Sequence, residues 1–132
     1  MERKHWDLIP TARIGKLDFG RDHTLVRKEL GEPIRTIKKT ANAKSVMDVY
    51  PDFHVYYSGN KALEAIEFFG EGISLSINSQ MLFPGTLSAA RKILPDIEER
   101  FGVYISKSTS VGICVEGNTI ISVLTGCEDY YE

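Results

Sequence analysis

The stretches FGRDHTLVRKEL (residues 19–30) and FPGTLSAARKIL (residues 83–94) are alike, and their likeness determines how the rest of the chain is interpreted. A shift of 64 positions aligns four identical residues: Phe19, Arg27, Lys28 and Leu30 with Phe83, Arg91, Lys92 and Leu94. An internal repeat of this size is the first feature to seek in a sequence, because it organises the whole fold.

The likeness continues downstream of both stretches. Residues 55–66 (VYYSGNKALEAI) align with residues 113–124 (ICVEGNTIISVL) at a shift of 58, so that Gly59-Asn60 matches Gly117-Asn118. Gly and Asn tolerate the positive φ angles of tight hairpin turns. Each copy is therefore predicted to contain one helix followed by an antiparallel hairpin.

Short polar and flexible residues mark the ends of the two predicted helices. Asp22 and Thr86 carry side-chain oxygens that can accept a hydrogen bond from the free amides of a first helical turn. Gly31 supplies a left-handed stop after the first helix. Pro95 ends the second helix, and a separate short helical turn is expected over residues 96–100.

These elements predict an α+β fold. The expected architecture is a two-layer sandwich, with one antiparallel sheet and helices on one of its faces, built from two tandem helix-plus-hairpin repeats. The 132 residues fit a single domain, 1–132. Within it the first repeat covers about 13–77, the second covers about 81–126, and residues 127–132 form an acidic, aromatic tail.

The composition is that of an ordinary globular protein, with 42% hydrophobic and 26% charged residues. The formal net charge is −2, but residues 1–66 carry +3 and residues 67–132 carry −5. No apolar run approaches the roughly 20 residues of a membrane span, and the first ten residues lack the apolar stretch of a secretory signal. A cytoplasmic protein is expected.

The segment IGKLDFGRDHTLVRKELGEP carries a pattern of glycines and apolar residues around the first helix. The pattern consists of Gly15, Phe19, Gly20, Val26, Leu30, Gly31 and Pro33. It resembles the small bacterial α+β modules of the outer-membrane assembly lipoprotein BamE, and the beta-lactamase inhibitor protein, in which two such modules share a sheet. The resemblance implies a protein-binding scaffold without catalytic residues.

The search for catalytic chemistry is negative at the level of motifs. His5, His23 and His54 share no spacing typical of a metal site or a catalytic pair. Gly70-Glu71-Gly72 is too short for a phosphate-binding loop and precedes a predicted strand. The chain is therefore predicted not to be an enzyme, with no cofactor and no bound metal.

A basic stretch offers one argument for nucleic acid. It consists of Arg35, Lys38, Lys39 and Lys44 and lies near Tyr50, Tyr56 and Tyr57 in the sequence. Aromatic rings beside cations on a sheet can bind single strands. The net acidic chain argues against this function, and a nucleic-acid partner is not expected.

A protein partner is the preferred expectation, because a sheet with helices on one face leaves its other face free. Tyrosine is enriched at the energetic centres of interfaces, and acidic groups speed encounter with a basic target. The predicted partner-binding residues are His54, Tyr56, Glu64, Glu67, Glu116, Glu128, Asp129, Tyr130, Tyr131 and Glu132. We expect a non-catalytic bacterial interaction protein, in its narrower form an immunity-type inhibitor of a basic toxin. The alternatives are a structural or regulatory adaptor and a small-ligand-binding domain.

Overall fold

The computed structural model describes residues 3–38 and 46–131. The strands in chain order are β1 (Lys4–Ile9), β2 (Arg13–Ile14), β3 (Leu17–Asp18), β4 (Arg35–Lys38), β5 (Val46–Val49), β6 (Phe53–Tyr57), β7 (Leu63–Phe68), β8 (Ile73–Ile77), β9 (Gln80–Phe83), β10 (Glu98–Arg100), β11 (Val103–Ser106), β12 (Val111–Glu116) and β13 (Thr119–Gly126). Helix α1 (His23–Leu30) precedes β4, and helix α2 (Leu87–Ile93) precedes β10.

The predicted α+β class is wrong, because the fold is mostly β. Strands hold 52% of the described residues and helices hold 12%. The two helices, of 8 and 7 residues, are too short to form a covering layer. Each predicted hairpin belongs to a four-stranded antiparallel sheet segment, and residues 98–100, expected in a helical turn, form β10.

The larger sheet has eight strands in the order β10-β11-β12-β13-β7-β6-β5-β4. We call β4–β7 the first meander and β10–β13 the second meander, since in each the strands follow one another as antiparallel neighbours. The last strands of the two meanders, β7 and β13, pair antiparallel at the centre of the sheet. The hairpins predicted at Gly59-Asn60 and Gly117-Asn118 are present as β6–β7 and β12–β13.

The smaller sheet has the order β3-β2-β1-β8-β9 and covers one face of the larger one. Its central strands β1 and β8 run parallel, with Lys4 opposite Ile73 and Leu8 opposite Ile77. The first of these strands lies before the predicted first repeat, which begins near residue 13, and the second lies within that repeat. The smaller sheet thus takes the place that the predicted architecture gave to the helices.

The core lies between the two sheets. Trp6 on β1 contacts Phe53 and Phe68 of the larger sheet, with ring centroids 5.4 and 5.3 Å apart. Leu8, Leu75 and other apolar side chains that alternate along the strands fill the same layer. Burial of these side chains, at roughly 25 cal/mol per Å² of apolar surface, is the main stabilising contribution to the fold.

Each meander meets its helix in the same way. Asp22 and Thr86 cap α1 and α2, as predicted, by accepting hydrogen bonds from the amides of Thr24 and Ala89. The first residue of each helix then donates its backbone N–H to the hairpin turn. These bonds run from His23 to the Lys61 carbonyl, at 2.9 Å, and from Leu87 to the Asn118 carbonyl, at 2.8 Å.

Strand pairing defines corresponding positions in the two meanders. The pair Val55–Ile66 corresponds to Ile113–Val123, and the pair Tyr57–Leu63 corresponds to Val115–Ile120. The first turn is therefore one residue longer than the second. The residue with positive φ is Lys61 in the first turn and Gly117 in the second.

Candidate functional site

The face of the larger sheet opposite the core, here called the outer face, carries three of the predicted partner-binding residues. Strand alternation turns Phe53, Val55 and Tyr57 into the core, so His54 and Tyr56 lie on the outer face. Glu67 joins them because it pairs directly with His54 across β6 and β7. All three side chains are partly exposed.

These three side chains form one polar group. Tyr56 donates a hydrogen bond to Glu67 Oε1 at 3.3 Å, and His54 Nδ1 lies 3.8 Å from the same oxygen. Burial, with the negative charge of Glu67 as a further cause, raises the pKa of the Tyr56 hydroxyl. Tyr56 and Glu67 are hydrogen-bonded to each other, and the His54 ring is free to present hydrogen-bonding atoms to a partner.

The tail folds back onto the outer face. A β-carbon on Gly112 would lie 2.1 Å from Tyr131 Oη, and one on Gly126 would lie 2.6 Å from Tyr130 Cγ. The two rings contact each other edge to face, with centroids 5.2 Å apart. Burial raises the pKa of both hydroxyls. The rings are therefore part of the folded surface, and only Glu128 and Asp129 of the described tail are exposed.

An open groove of about 420 Å³ crosses the outer face of the second meander. Its apolar lining comes from Phe101, Val103, Ile105 and Leu124, and Tyr131 also lines it. Phe101 is fully exposed at the turn between β10 and β11. We call this the apolar groove; its charged lining residues are one cation, Arg100, and one anion, Glu67.

The other predicted partner-binding residues lie elsewhere. Glu64 lines a shallow depression together with Cys127 and Glu128. Glu116 is exposed at the end of β12, beside the second hairpin turn. Glu132 lies outside the described residues. The structure therefore brings together His54, Tyr56, Glu67, Tyr130 and Tyr131. Glu64 lies near Tyr130, whose pKa is raised by burial and further by the charge of Glu64, and Glu116 lies apart from them.

Sequence reasoning missed the apolar wall of the groove. Val103 and Ile105 alternate with Tyr104 along β11, a pattern that places an apolar pair on the outer face. The sequence marks this turn only with Gly102; in the structure Phe101 and Gly102 both have positive φ, 52° and 83°, and the Phe101 ring is exposed.

Two of the three tyrosines that lie near the basic stretch in the sequence have buried rings. Arg35 and Lys38 belong to β4, while Lys39 and Lys44 lie outside the described residues. Tyr50 and Tyr57 are 5% and 1% exposed. These two rings cannot stack on bases, and of the three predicted tyrosines only Tyr56 is partly exposed, on the outer face.

One polar cluster on the smaller sheet was not foreseen. The parallel register places His5 opposite Ser74 and Asp7 opposite Ser76. His5 Nδ1 lies 2.7 Å from Ser74 Oγ, while Nε2 lies 3.0 Å from Ser76 Oγ and 3.1 Å from Asp7 Oδ1. The hydrogen bond from Ser76 lowers the pKa of the Asp7 carboxyl. Because Asp7 is 75% exposed, the cluster is a surface ladder that satisfies two buried serines.

Neither a metal-binding cluster nor a membrane-spanning helix occurs among the described residues. No group of three or more His, Cys, Asp or Glu side chains within residues 3–38 and 46–131 could hold a metal ion. In the same part of the chain, neither helix has the length and apolar character needed to cross a membrane.

The chain matches no protein-family profile, no curated protein sequence and no solved structure at a significant level.

Proposed function

We propose that this chain is a non-catalytic protein-binding module whose partner docks on the apolar groove. The observation that carries the proposal is the fully exposed ring of Phe101 beside Val103, Ile105 and Leu124. Exposed apolar surface of this kind is typical of interaction sites. Aromatic side chains supply much of the binding energy at such sites because they bury a large area at a small entropic cost.

The charges around the groove favour a basic partner. Glu98 and Glu99 are exposed on the edge strand β10, directly before Arg100 and Phe101. Residues 67–132 as a whole carry a formal charge of −5. Such a surface attracts a basic protein during encounter and sets its orientation.

The narrower form of the proposal is an immunity-type inhibitor that neutralises a basic toxin domain in the bacterial cytoplasm. It is supported by the acidic second half of the chain, residues 67–132, and by the resemblance to inhibitor modules noted in the sequence. A structural or regulatory adaptor would use the same groove with a different partner. The identity of the captured protein separates these two functions.

The test compares capture of partners by three immobilised proteins: the wild type, Phe101→Ala and Ile34→Ala. Ile34 is 65% exposed and precedes β4, so it is a matched loss of an exposed apolar side chain outside the groove. We expect the wild type and Ile34→Ala to capture the same protein in equal amounts. Phe101→Ala should capture at least about tenfold less of it, as for a central interface residue.

Equal capture by all three proteins, measured by quantitative mass spectrometry, would contradict the proposal. Sedimentation of the free chain tests the other possible occupant of the groove, a second copy. If the free chain is a dimer that Phe101→Ala dissociates, the groove binds a second copy of the chain and not another protein.

A further inference from the structure

A second groove, of about 390 Å³, lies on the first meander beside the start of α1. His23 and Arg27 line it from the helix, Thr36 and Lys38 from β4, and Lys61 from the hairpin turn. We call it the cationic groove. It is separate from the apolar groove in its lining residues, and the proposed protein-binding function does not use it.

The cationic groove has more positive charge than its surroundings neutralise. The nearest buried anion is Asp48, which is fully buried and accepts two hydrogen bonds from Arg27, at 2.8 and 2.7 Å, and one from Thr36 at 2.7 Å. Within the described residues, Lys38 and Lys61 form no ion pair. The two ammonium groups of Lys38 and Lys61 therefore line the groove without matching carboxylates, whereas Arg27 is already paired with Asp48.

A buried polar atom of the cationic groove also lacks a partner. His23 Nδ1 is buried and forms no hydrogen bond with the described residues. His23 Nδ1 lies 3.6 Å from Asp22 Oδ1, outside hydrogen-bonding range, and its ring contacts Tyr57 edge to face at 6.1 Å. A buried polar atom without a partner is destabilising, so its presence needs a reason other than folding.

The second meander shows that the fold does not require these polar residues. At corresponding positions it has Leu87 for His23, Val115 for Tyr57, Asn118 for Lys61 and Tyr104 for Asp48. Apolar or neutral side chains thus complete the same helix–meander junction. The first meander carries a set of charges that the architecture itself does not need.

We propose that the cationic groove binds the phosphate group of a small ligand. A phosphate offers several acceptor oxygens and up to two negative charges, which match the ammonium groups of Lys38 and Lys61 and the remaining N–H donors of Arg27. A carboxylate would use fewer of these donors. Because Tyr50 and Tyr57 are buried, the groove has no exposed rings from those positions to hold the bases of a single strand.

The test measures binding of inorganic pyrophosphate, a nucleoside triphosphate and a single-stranded oligonucleotide by calorimetry at low salt. The variants are Lys38→Ala/Lys61→Ala and, as the control, Lys92→Ala/Lys107→Ala, which removes the same charge from exposed positions next to the second meander. We expect the small phosphates to bind the wild type and the control alike, and to bind the groove variant at least about tenfold more weakly, since charge-assisted hydrogen bonds are lost.

A second measurement uses only the wild type and therefore needs no variant. In the wild type, pyrophosphate should shift the imidazole resonances of His23 and leave those of His5 and His54 unchanged. No binding, equal weakening in both double variants, shifts at all three histidines, or binding of the oligonucleotide alone would each overturn the proposal. A failure here would leave the apolar groove and its protein partner untouched, because the Phe101→Ala comparison tests them separately.

Discussion

The two meanders pack against their helices through different interactions. We call the contact between each helix and its meander the junction. In the first, Arg27 of α1 forms a two-pronged ion pair with Asp48, which is fully buried on β5. In the second, Arg91 of α2 lies over the ring of Tyr104 on β11, 5.5 Å from its centroid. Asp48 and Tyr104 hold corresponding places, because they pair with Val55 and Ile113.

The difference shows that an arginine that recurs in both copies of the repeat can contribute to stability in two different ways. A buried carboxylate needs its partner, since an unpaired buried charge is very costly. An exposed cation over the partly buried ring of Tyr104 contributes much less. The first junction is therefore expected to be sensitive to substitution and to pH, and the second to be tolerant of both.

Removing Asp48 from the first junction should cause the largest loss of stability. Asp48→Ala leaves Arg27 and Thr36 without their acceptor, and we expect the free energy of unfolding to fall by about 3 kcal/mol. Urea denaturation measures the change. The control is Glu98→Ala in the second meander, where a 72% exposed carboxylate lies 3.6 Å from Arg100 and should contribute below about 1 kcal/mol. Similar losses of stability for the two variants would show that the buried ion pair contributes no more than the exposed one.

Acid should remove the same contribution. Burial alone would raise the pKa of the Asp48 carboxyl, but hydrogen bonds from Arg27 and Thr36 outweigh it and hold the pKa below 3.8. Since the folded-state pKa is the lower one, the stabilisation is complete above the unfolded pKa of about 3.9 and is lost as pH falls through the folded value. The stability difference between the wild type and Asp48→Asn should stay constant well above the unfolded pKa of about 3.9 and should shrink as the pH falls below it. A difference that grows toward low pH would reverse the assigned sign.

The outer face offers a third way to compare the halves. His54 in the first meander corresponds to Gly112 in the second, where the missing side chain makes room for Tyr131. Gly112→Ala should displace this ring at a cost of about 1 kcal/mol, and the raised pKa of the Tyr131 hydroxyl should fall toward its ordinary value of 10.0. Titration followed by tyrosine carbon NMR tests this, with Ser122→Ala as the control on the same face. An unchanged Tyr131 would mean that the ring does not depend on the glycine.

Local features of the fold could be read from the sequence because local chemistry determines them. The caps at Asp22 and Thr86, the stop at Gly31 and the two hairpin turns each depend on residues within a few positions. The outer-face positions of His54 and Tyr56 followed from strand alternation in the same way.

The smaller sheet could not be read from local signals. Its central pairing joins Lys4 to Ile73, and strand partners at such a distance are chosen by complementary burial across the whole core rather than by propensity. A helix of seven or eight residues was also given too much weight as a covering layer. The apolar groove was missed because its wall combines β11, β12 and β13 with the returning tail.

The smallest effect is expected at the second junction. Arg91→Ala removes the cation from the Tyr104 ring and should lower the free energy of unfolding by about 0.5–1 kcal/mol, the usual range for exposed cation–π pairs. Arg91→Lys should retain part of this stabilisation, because an ammonium group can also lie over a ring, whereas Arg27→Lys at the first junction loses the two-pronged geometry and should cost more. Thermal denaturation of the two lysine variants compares the junctions directly. If Arg91→Lys proved the more damaging, the cation over Tyr104 would be the stronger interaction, and the contrast drawn between the two meanders would fail.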